Sequence, residues 1–352
     1  MNTGFKNIFS IEGRNIGNKN PCFIIAEIAQ AHDGSLGLAH SYIDAVANAG
    51  ADAIKFQTHI AEAESTKEDQ FRVNFSYEDK NRYDYWKRME FTFEQWFQLK
   101  KHCDDLNLVF LSSPFSIEAV NLLKKIDIHG WKIGSGEINN PILIEPIIDT
   151  KKPILLSTGM SDWKEIDTNI LKLIDEKIDC AIFQCTSKYP TKFEEVGLNV
   201  MKEMKKRYNI PTGLSDHSGN TSSAFAAIAK DANLLEVHVV FDKAMFGPDV
   251  NSSLTFKQLR EVVNFRNDYY NIISNPVDKD LMAKELIGMR YLFNKSVVLN
   301  KMLKKGAIIK RSDLTVKKPG IGIAAQNINE CVGKRIRSDM PFNHILVWED
   351  LE

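Results

Sequence analysis

The chain has 352 residues, a formal net charge of −1 and 43% hydrophobic residues. It exceeds the ~250 residues that an α/β barrel usually needs and leaves room for an appended domain. The near-neutral charge gives no reason to expect nucleic acid or an acidic membrane surface as a partner, and no apolar run reaches the ~18 residues of a membrane span. Cys22, Cys103, Cys180, Cys185 and Cys331 are scattered and form no CxxC pair, so neither a disulfide framework nor a structural zinc site is indicated. With no apolar signal core near the N-terminus, a reducing cytoplasm is the expected location.

In chain order, residues 9–20 are expected to form a hairpin capping the N-terminal end of the first domain. Short apolar runs then alternate with amphipathic ones. Strands are expected at 23–26, 53–56, 108–111, 130–133, 153–156, 181–184, 212–214 and 234–237. Helices are expected between them, at 38–49, 93–103, 117–124, 165–174 and 224–230 among others. Strands that read as continuously apolar suit a parallel sheet covered on both faces. Eight strands alternating with helices predict an α/β fold, a (β/α)8 TIM barrel. The stretch from His59 to Arg88 is polar, charged and aromatic, and too long for an ordinary connection. It reads as a lid or substrate loop.

After about Asn275 the pattern changes. We expect a barrel domain over 1–275, a linker over 276–293 and a small, mostly β domain over 294–352. The last is near the lower size limit for independent stability.

The C-terminal ends of barrel strands share one face, where catalytic groups collect. Glu27 follows the first strand, with His32 beyond it, and Lys55 closes the second. Ser113 stands at the third; Lys132, Ser135 and Glu137 at the fourth; Ser157 at the fifth. Cys185, Ser187 and Tyr189 follow the sixth, Ser215 and His217 the seventh, and His238 the eighth. Two imidazoles converging on one face suggest a transition-metal site, with nitrogen donors favouring Mn, Fe, Co or Zn. Lysines beside Ser and Gly suit a phosphate or carboxylate ligand, and no Walker-type loop is present. A Lewis acid acting on a carbonyl oxygen fits this set.

Simpler roles are open for several of these residues. Lys55 and Lys132 could form structural ion pairs with Glu27 and Glu137. The serines could merely cap helices. Cys185 is expected only to pack. His40, His59, His102, His129 and His344 are expected to be surface or satisfied core histidines, and His32 could serve a ligand or merely its own loop. A metal-dependent aldolase or epimerase acting on sugar phosphates is the alternative enzyme reading.

The runs A-E-I-x-x-x-H-x-G, K-x-Q-T, S-x-P-F-S, K-I-G-S-G-E, L-S-T-G-M, C-T-x-x-Y-P, G-L-S-D-H and G-P-D, in this order, resemble those of the sialic acid (nonulosonate) synthases. The tail resembles that family's antifreeze-like SAF domain, a β-clip fold. The resemblance implies condensation of phosphoenolpyruvate with an open-chain 2-acetamido sugar such as N-acetylmannosamine, giving a nine-carbon acid and phosphate. It implies a divalent metal on His217 and His238, typically Mn²⁺, with Mg²⁺ or Co²⁺ as alternatives. It implies catalytic roles for Glu27 and Glu137. Lys55, Ser113, Lys132, Ser135, Ser157, Ser187 and Ser215 would hold phosphoenolpyruvate. Tyr189, Asp249 and Lys318 would face the sugar. It also implies a domain-swapped homodimer. A non-catalytic carbohydrate- or ice-binding role, prompted by the antifreeze-like tail, fits the barrel residues least.

The pattern is broken in places. Ala29 and Ala31 stand where the family has Gly and Asn, and Ser187 where an Asn is common. Lys318 replaces an Arg in K-R-P-G, which keeps the charge and loses the planar fork. These departures fall on the acceptor side and on one phosphate-side donor, so the acceptor sugar is expected to be the variable part.

Overall fold

The computed structural model describes residues 7–352. The chain divides into two compact units, residues 1–274 and 275–352.

In the first unit a hairpin of β1 (Ile8–Ile11) and β2 (Arg14–Gly17) precedes the barrel. The barrel strands are β3 (Phe23–Ala29), β4 (Ala53–Thr58), β5 (Val109–Pro114) and β6 (Gly130–Ile133), then β7 (Ile154–Ser157), β8 (Cys180–Cys185), β9 (Thr212–Asp216) and β10 (Leu234–Val240). All neighbours are parallel, and β10 pairs with both β9 and β3, which closes the ring. A short strand, β11 (Ser253–Thr255), adds to the C-terminal half of β10, with His238 opposite Ser253.

Several strands run further than their apolar runs suggested. β3 extends through Glu27 to Ala29, and β10 through His238 to Val240. Polar residues can continue a strand here because their side chains find partners inside the ring. The helices start where their caps dictate. Asp162 and Glu165 form a capping box, so that helix is Trp163–Asp175 and begins two residues before the expected Glu165.

Side chains alternate across a strand, and this builds two separate interiors. Outward residues such as Ile24, Ala26, Ile54, Phe56, Leu156, Ile182, Leu235 and Val237 pack against the helices. Inward residues Phe23, Ile25, Ala53, Val109, Leu111, Leu155, Ala181, Phe183 and Leu234 fill the lower lumen. Phe9, Ile11 and Ile16 of the hairpin join that inner cluster and form its floor. One step further along each strand, the inward positions become Glu27, Lys55, Ser113, Ser157, Cys185, Ser215 and Glu236. The barrel is therefore apolar below and polar above.

The insertion after β4 carries two helices, Ala61–Glu64 and Arg82–Met89, and has its own small core of Ala61, Tyr85, Trp86 and Met89. Among the described residues, no helix is long and apolar enough to cross a membrane.

The second unit pairs β12 (Ser296–Leu299) with β13 (Leu314–Lys317), antiparallel, over a core that includes Val297, Leu299, Leu314, Ile323, Ile336 and Leu346. Residues 276–293, expected as a linker, hold two short helices, Lys279–Glu285 and Ile287–Phe293. Asp278 caps the first by accepting from the backbone N–H groups of Asp280 and Leu281.

Gly213 shows how tightly the ring is drawn. A Cβ at this position would stand 2.3 Å from the Leu234 carbonyl oxygen on the neighbouring strand. That carbonyl is held in the ladder and cannot retreat. Gly213→Ala should lower stability by about 1–3 kcal/mol, the usual cost of overpacking a filled interior. An unchanged melting temperature would contradict this account.

Candidate active site

Four charged side chains meet in the upper lumen, and all are almost fully buried: Glu27 at 1%, Lys55 at 4%, Lys132 at 2% and Glu236 at 2% exposure. Glu236 Oε1 accepts from Lys132 Nζ at 3.0 Å and from Ser215 Oγ at 3.0 Å, and lies 3.2 Å from Lys55 Nζ. Lys55 Nζ also lies 3.1 Å from Glu27 Oε2. Two carboxylates and two ammonium groups thus balance in a space where an unpaired charge would be costly.

The balance is uneven in its effect. Burial pushes the Glu27 carboxyl up to about 7, against the pull of Lys55. Burial also opposes charge on Glu236, but Lys132 and Lys55 outweigh it and hold this carboxyl far below the usual range. Lys132 is shifted down, chiefly by burial. Glu27 is thus tuned toward neutrality, as proton transfer requires, while Glu236 is a permanent anion.

Hydroxyls line the next part of the wall. The Gly159 N–H donates to Ser135 Oγ at 2.9 Å. A Cβ at Gly159 would stand 2.3 Å from Ser187 Oγ, 2.8 Å from Cys185 Sγ and 2.9 Å from Ser135 Oγ. Only glycine lets these three converge. Ser157 Oγ is buried without a hydrogen-bond partner among the described residues, as is Glu236 Oε2. Buried polar atoms without partners mark a place for a ligand's own polar groups.

The two imidazoles lie beside this set, with ring centroids 5.2 Å apart. The His217 Nδ1–H donates to the Thr186 carbonyl at 3.0 Å, which leaves Nε2 with its lone pair. Burial opposes charge on His217, but Cys185 and the Thr186 carbonyl outweigh it and raise its pKa. Burial, His217 and Lys55 together push His238 well below the usual range, so its ring is neutral. Among the described residues, no group of three His, Cys, Asp or Glu is arranged to hold a metal. The two imidazoles offer two nitrogen donors, so the remaining positions of a metal held there would fall to water or ligand. That donor set is more open than a structural zinc site.

All these groups line one cavity of about 530 Å³. Every residue singled out above for catalysis, metal or ligand binding lies on its wall except Lys318. Lys318 belongs to the second unit, with its ammonium 5.0 Å from the centre of the Phe293 ring. Glu137 is on the wall but outside the buried charge set; its Oε2 accepts from Asn140. Of the anticipated ion pairs, Lys55 with Glu27 is present, while Lys132 pairs with Glu236 and not with Glu137.

Several wall residues were not anticipated. Glu236 was hidden inside an apolar-looking strand, although counting back two residues from His238 points to it. Cys185 does more than pack: it lines the cavity, 3.9 Å from His217 Nδ1. His59 is on the wall as well. His32 is fully buried off the cavity, accepts from the Gly34 N–H and so orders its own loop. The insertion contributes Glu64, Asp69, Arg72, Arg82, Tyr85 and Trp86. Arg72 reaches across the mouth, donating to Asp249 Oδ1 at 2.9 Å and lying 4.1 Å over the Tyr189 ring. Tyr189 in turn stacks on His217, with centroids 4.1 Å apart.

Residues 42–277 match the NeuB family, and residues 294–352 match the SAF domain. The chain belongs to the NeuB family. NeuB relatives cover nearly its whole length. A Campylobacter jejuni N,N'-diacetyllegionaminic acid synthase is 32% identical over 317 residues, covering 88% of this chain and 94% of the relative. The human N-acetylneuraminate-9-phosphate synthase is 31% identical over 334 residues, covering 92% and 91%. Among solved structures, an N-acetylneuraminic acid synthetase from Leptospira borgpetersenii, in complex with citrate, superposes with a TM-score of 0.70 at 29% identity. That match covers 80% of this chain and 96% of the other. The NeuB chain is thus an enzyme, a C–C bond-forming transferase of the N-acetylneuraminate synthase type.

The charge quartet gives a direct stability test. Glu236→Gln leaves Lys132 buried without its counter-ion and should cost about 3–5 kcal/mol. Adding Lys132→Met should recover part of that loss. Thermal or urea unfolding of the two variants measures both effects, and a double variant no more stable than the single would contradict the pairing.

Proposed function

We propose that this enzyme condenses phosphoenolpyruvate with the aldehyde of an open-chain 2-acetamido sugar, giving a nine-carbon α-keto acid and phosphate. One observation carries the reading. A buried, charge-balanced set of two lysines and two carboxylates shares a single cavity with an unpartnered hydroxyl, that of Ser157, and two imidazoles. The relatives' names support it, since each is a synthase of a sialic-type acid.

In this reading the phosphoenolpyruvate carboxylate and phosphate lie against Lys55, Lys132, Ser113, Ser135, Ser157, Ser187 and Ser215. The Gly134–Gly136 turn and Gly159 allow the close approach that an anion needs. The acceptor sugar lies toward Tyr189, Asp249 and Arg72. C3 of phosphoenolpyruvate bonds to the aldehyde carbon while the carbonyl oxygen takes up a proton. Water then adds at C2 and loses a proton, and the C2–O bond to phosphate breaks with its electron pair leaving on phosphate, while the new hydroxyl gives up its proton and its oxygen lone pair forms the ketone. Glu27 handles a proton near these carbons, because its carboxyl is the one tuned toward neutrality. Glu236 stays charged and fixes both lysines. His217 and His238 would hold a divalent metal, Mn²⁺ in our reading, whose chemistry is to polarise the sugar carbonyl.

Purified protein with Mn²⁺, phosphoenolpyruvate and a panel of 2-acetamido and 2,4-diacetamido hexoses should release phosphate only when a suitable sugar is present. No release with any sugar, from folded and metal-loaded protein, would overturn the proposal. Release without sugar would point to simple hydrolysis instead.

His217→Ala should weaken Mn²⁺ binding by at least about 10–100-fold, the scale seen when support around a metal is removed, and turnover should fall with it. Titration calorimetry reads the first effect and phosphate release the second. Full Mn²⁺ affinity in the variant would remove His217 from the metal site.

A further inference from the structure

His59 follows β4, is 5% exposed and lines the cavity. Its ring is clamped between two others. Trp86 stacks on it with centroids 3.8 Å apart at 4°, and Phe115 with centroids 4.4 Å apart at 5°. With both faces covered, only the ring edge can bond. Nδ1 meets Glu64 Oε1 at 2.5 Å, and Nε2 meets Gln57 Oε1 at 3.2 Å. Gln57 Nε2 donates to Glu27 Oε1 at 2.9 Å.

The direction of these bonds is set by Glu27. Its Oε2 faces the Lys55 ammonium at 3.1 Å, so this carboxylate is the acceptor. Gln57 must turn its NH2 toward Glu27, which points its carbonyl at the imidazole. A carbonyl only accepts, so Nε2 of His59 carries a proton. Glu64 takes the other edge of the ring, and its second oxygen accepts from the Ile60 N–H at 3.3 Å. The result is one line of hydrogen bonds, Glu64 to His59 to Gln57 to Glu27.

Its two ends belong to different parts of the unit. Gln57 and Glu27 are barrel residues. Glu64 and Trp86 belong to the two helices of the insertion. Those helices are tied together where Ala61 N–H donates to Glu90 Oε1 at 2.8 Å. The insertion therefore sets the plane of the His59 ring, and the ring sets the Gln57 amide.

We propose that His59 is a positioning residue for Glu27. It holds the Gln57 amide in the one orientation that donates to the carboxylate, and so fixes the carboxylate for proton transfer. Without that hold, the amide keeps only its bond to Glu27 and is free to swing, and the carboxylate loses its fixed position. The proposal rests on the condensation reading above, in which Glu27 handles the proton.

The test is a double-mutant cycle in kcat, run after wild-type turnover has been measured. His59→Phe keeps a stacked ring and removes both nitrogens; Gln57→Met cuts the line while leaving the clamp. Each single variant should lose about tenfold or more in kcat, since a misplacement of ~1 Å costs on the order of 100-fold. KM for phosphoenolpyruvate should move less than kcat. The double variant should be no worse than the poorer single, because both cut the same line. Losses that multiply, or full activity in His59→Phe, would overturn the role of His59 while leaving the condensation standing. An inactive wild type would overturn the condensation itself. A second readout is independent of turnover. In ¹⁵N-histidine spectra, with His59 assigned by its absence in His59→Phe, Nε2 should carry a proton. An unprotonated Nε2 would overturn the proposal.

Discussion

The upper half of this barrel depends on one arrangement, the exchange of charge among Glu27, Lys55, Lys132 and Glu236. Each of these groups alone would be too costly to bury. Together they replace an apolar layer in the lumen with a neutral but highly polar one. Glu236 is the pivot, because both lysines and Ser215 converge on one of its oxygens. That convergence leaves Glu27 with only a share of Lys55. Hence one carboxylate is locked in its charged form, and the other is left near the point where a proton can come or go.

The remaining parts of the site sort by what holds them. The charge set is carried within strands, where the closed ladder fixes every backbone atom. The hydroxyls and imidazoles stand at strand ends or just beyond, packed against neighbours such as Gly159 and Thr186. Tyr189, Asp249 and Arg72 lie on connections. Backbone hydrogen bonding in the ladder thus falls from the lumen outward.

Much of this was legible in the sequence, and the parts that were not have physical reasons. The barrel showed itself through the alternation of apolar runs and amphipathic segments. The boundary near residue 275 showed itself through a change in strand and turn content. The strand-end residues were found because they interrupt apolar runs. Glu236 was missed because an acid within L-L-E-V-H looked like part of a run buried on both faces, and only closure of the ring makes its inward face polar. His59 was set aside because a single histidine gives no sign of what will stack on it; Trp86 and Phe115 arrive from distant positions. The helices at 279–293 were read as a linker because neither has a buried residue to give it periodicity.

The floor of the barrel has its own consequence. Phe9, Ile11 and Ile16 plug the lower lumen with apolar side chains, so the cavity is closed on the hairpin side. Whatever sits against the buried lysines must therefore come in from the strand-end side, past Tyr189, Asp249 and Arg72.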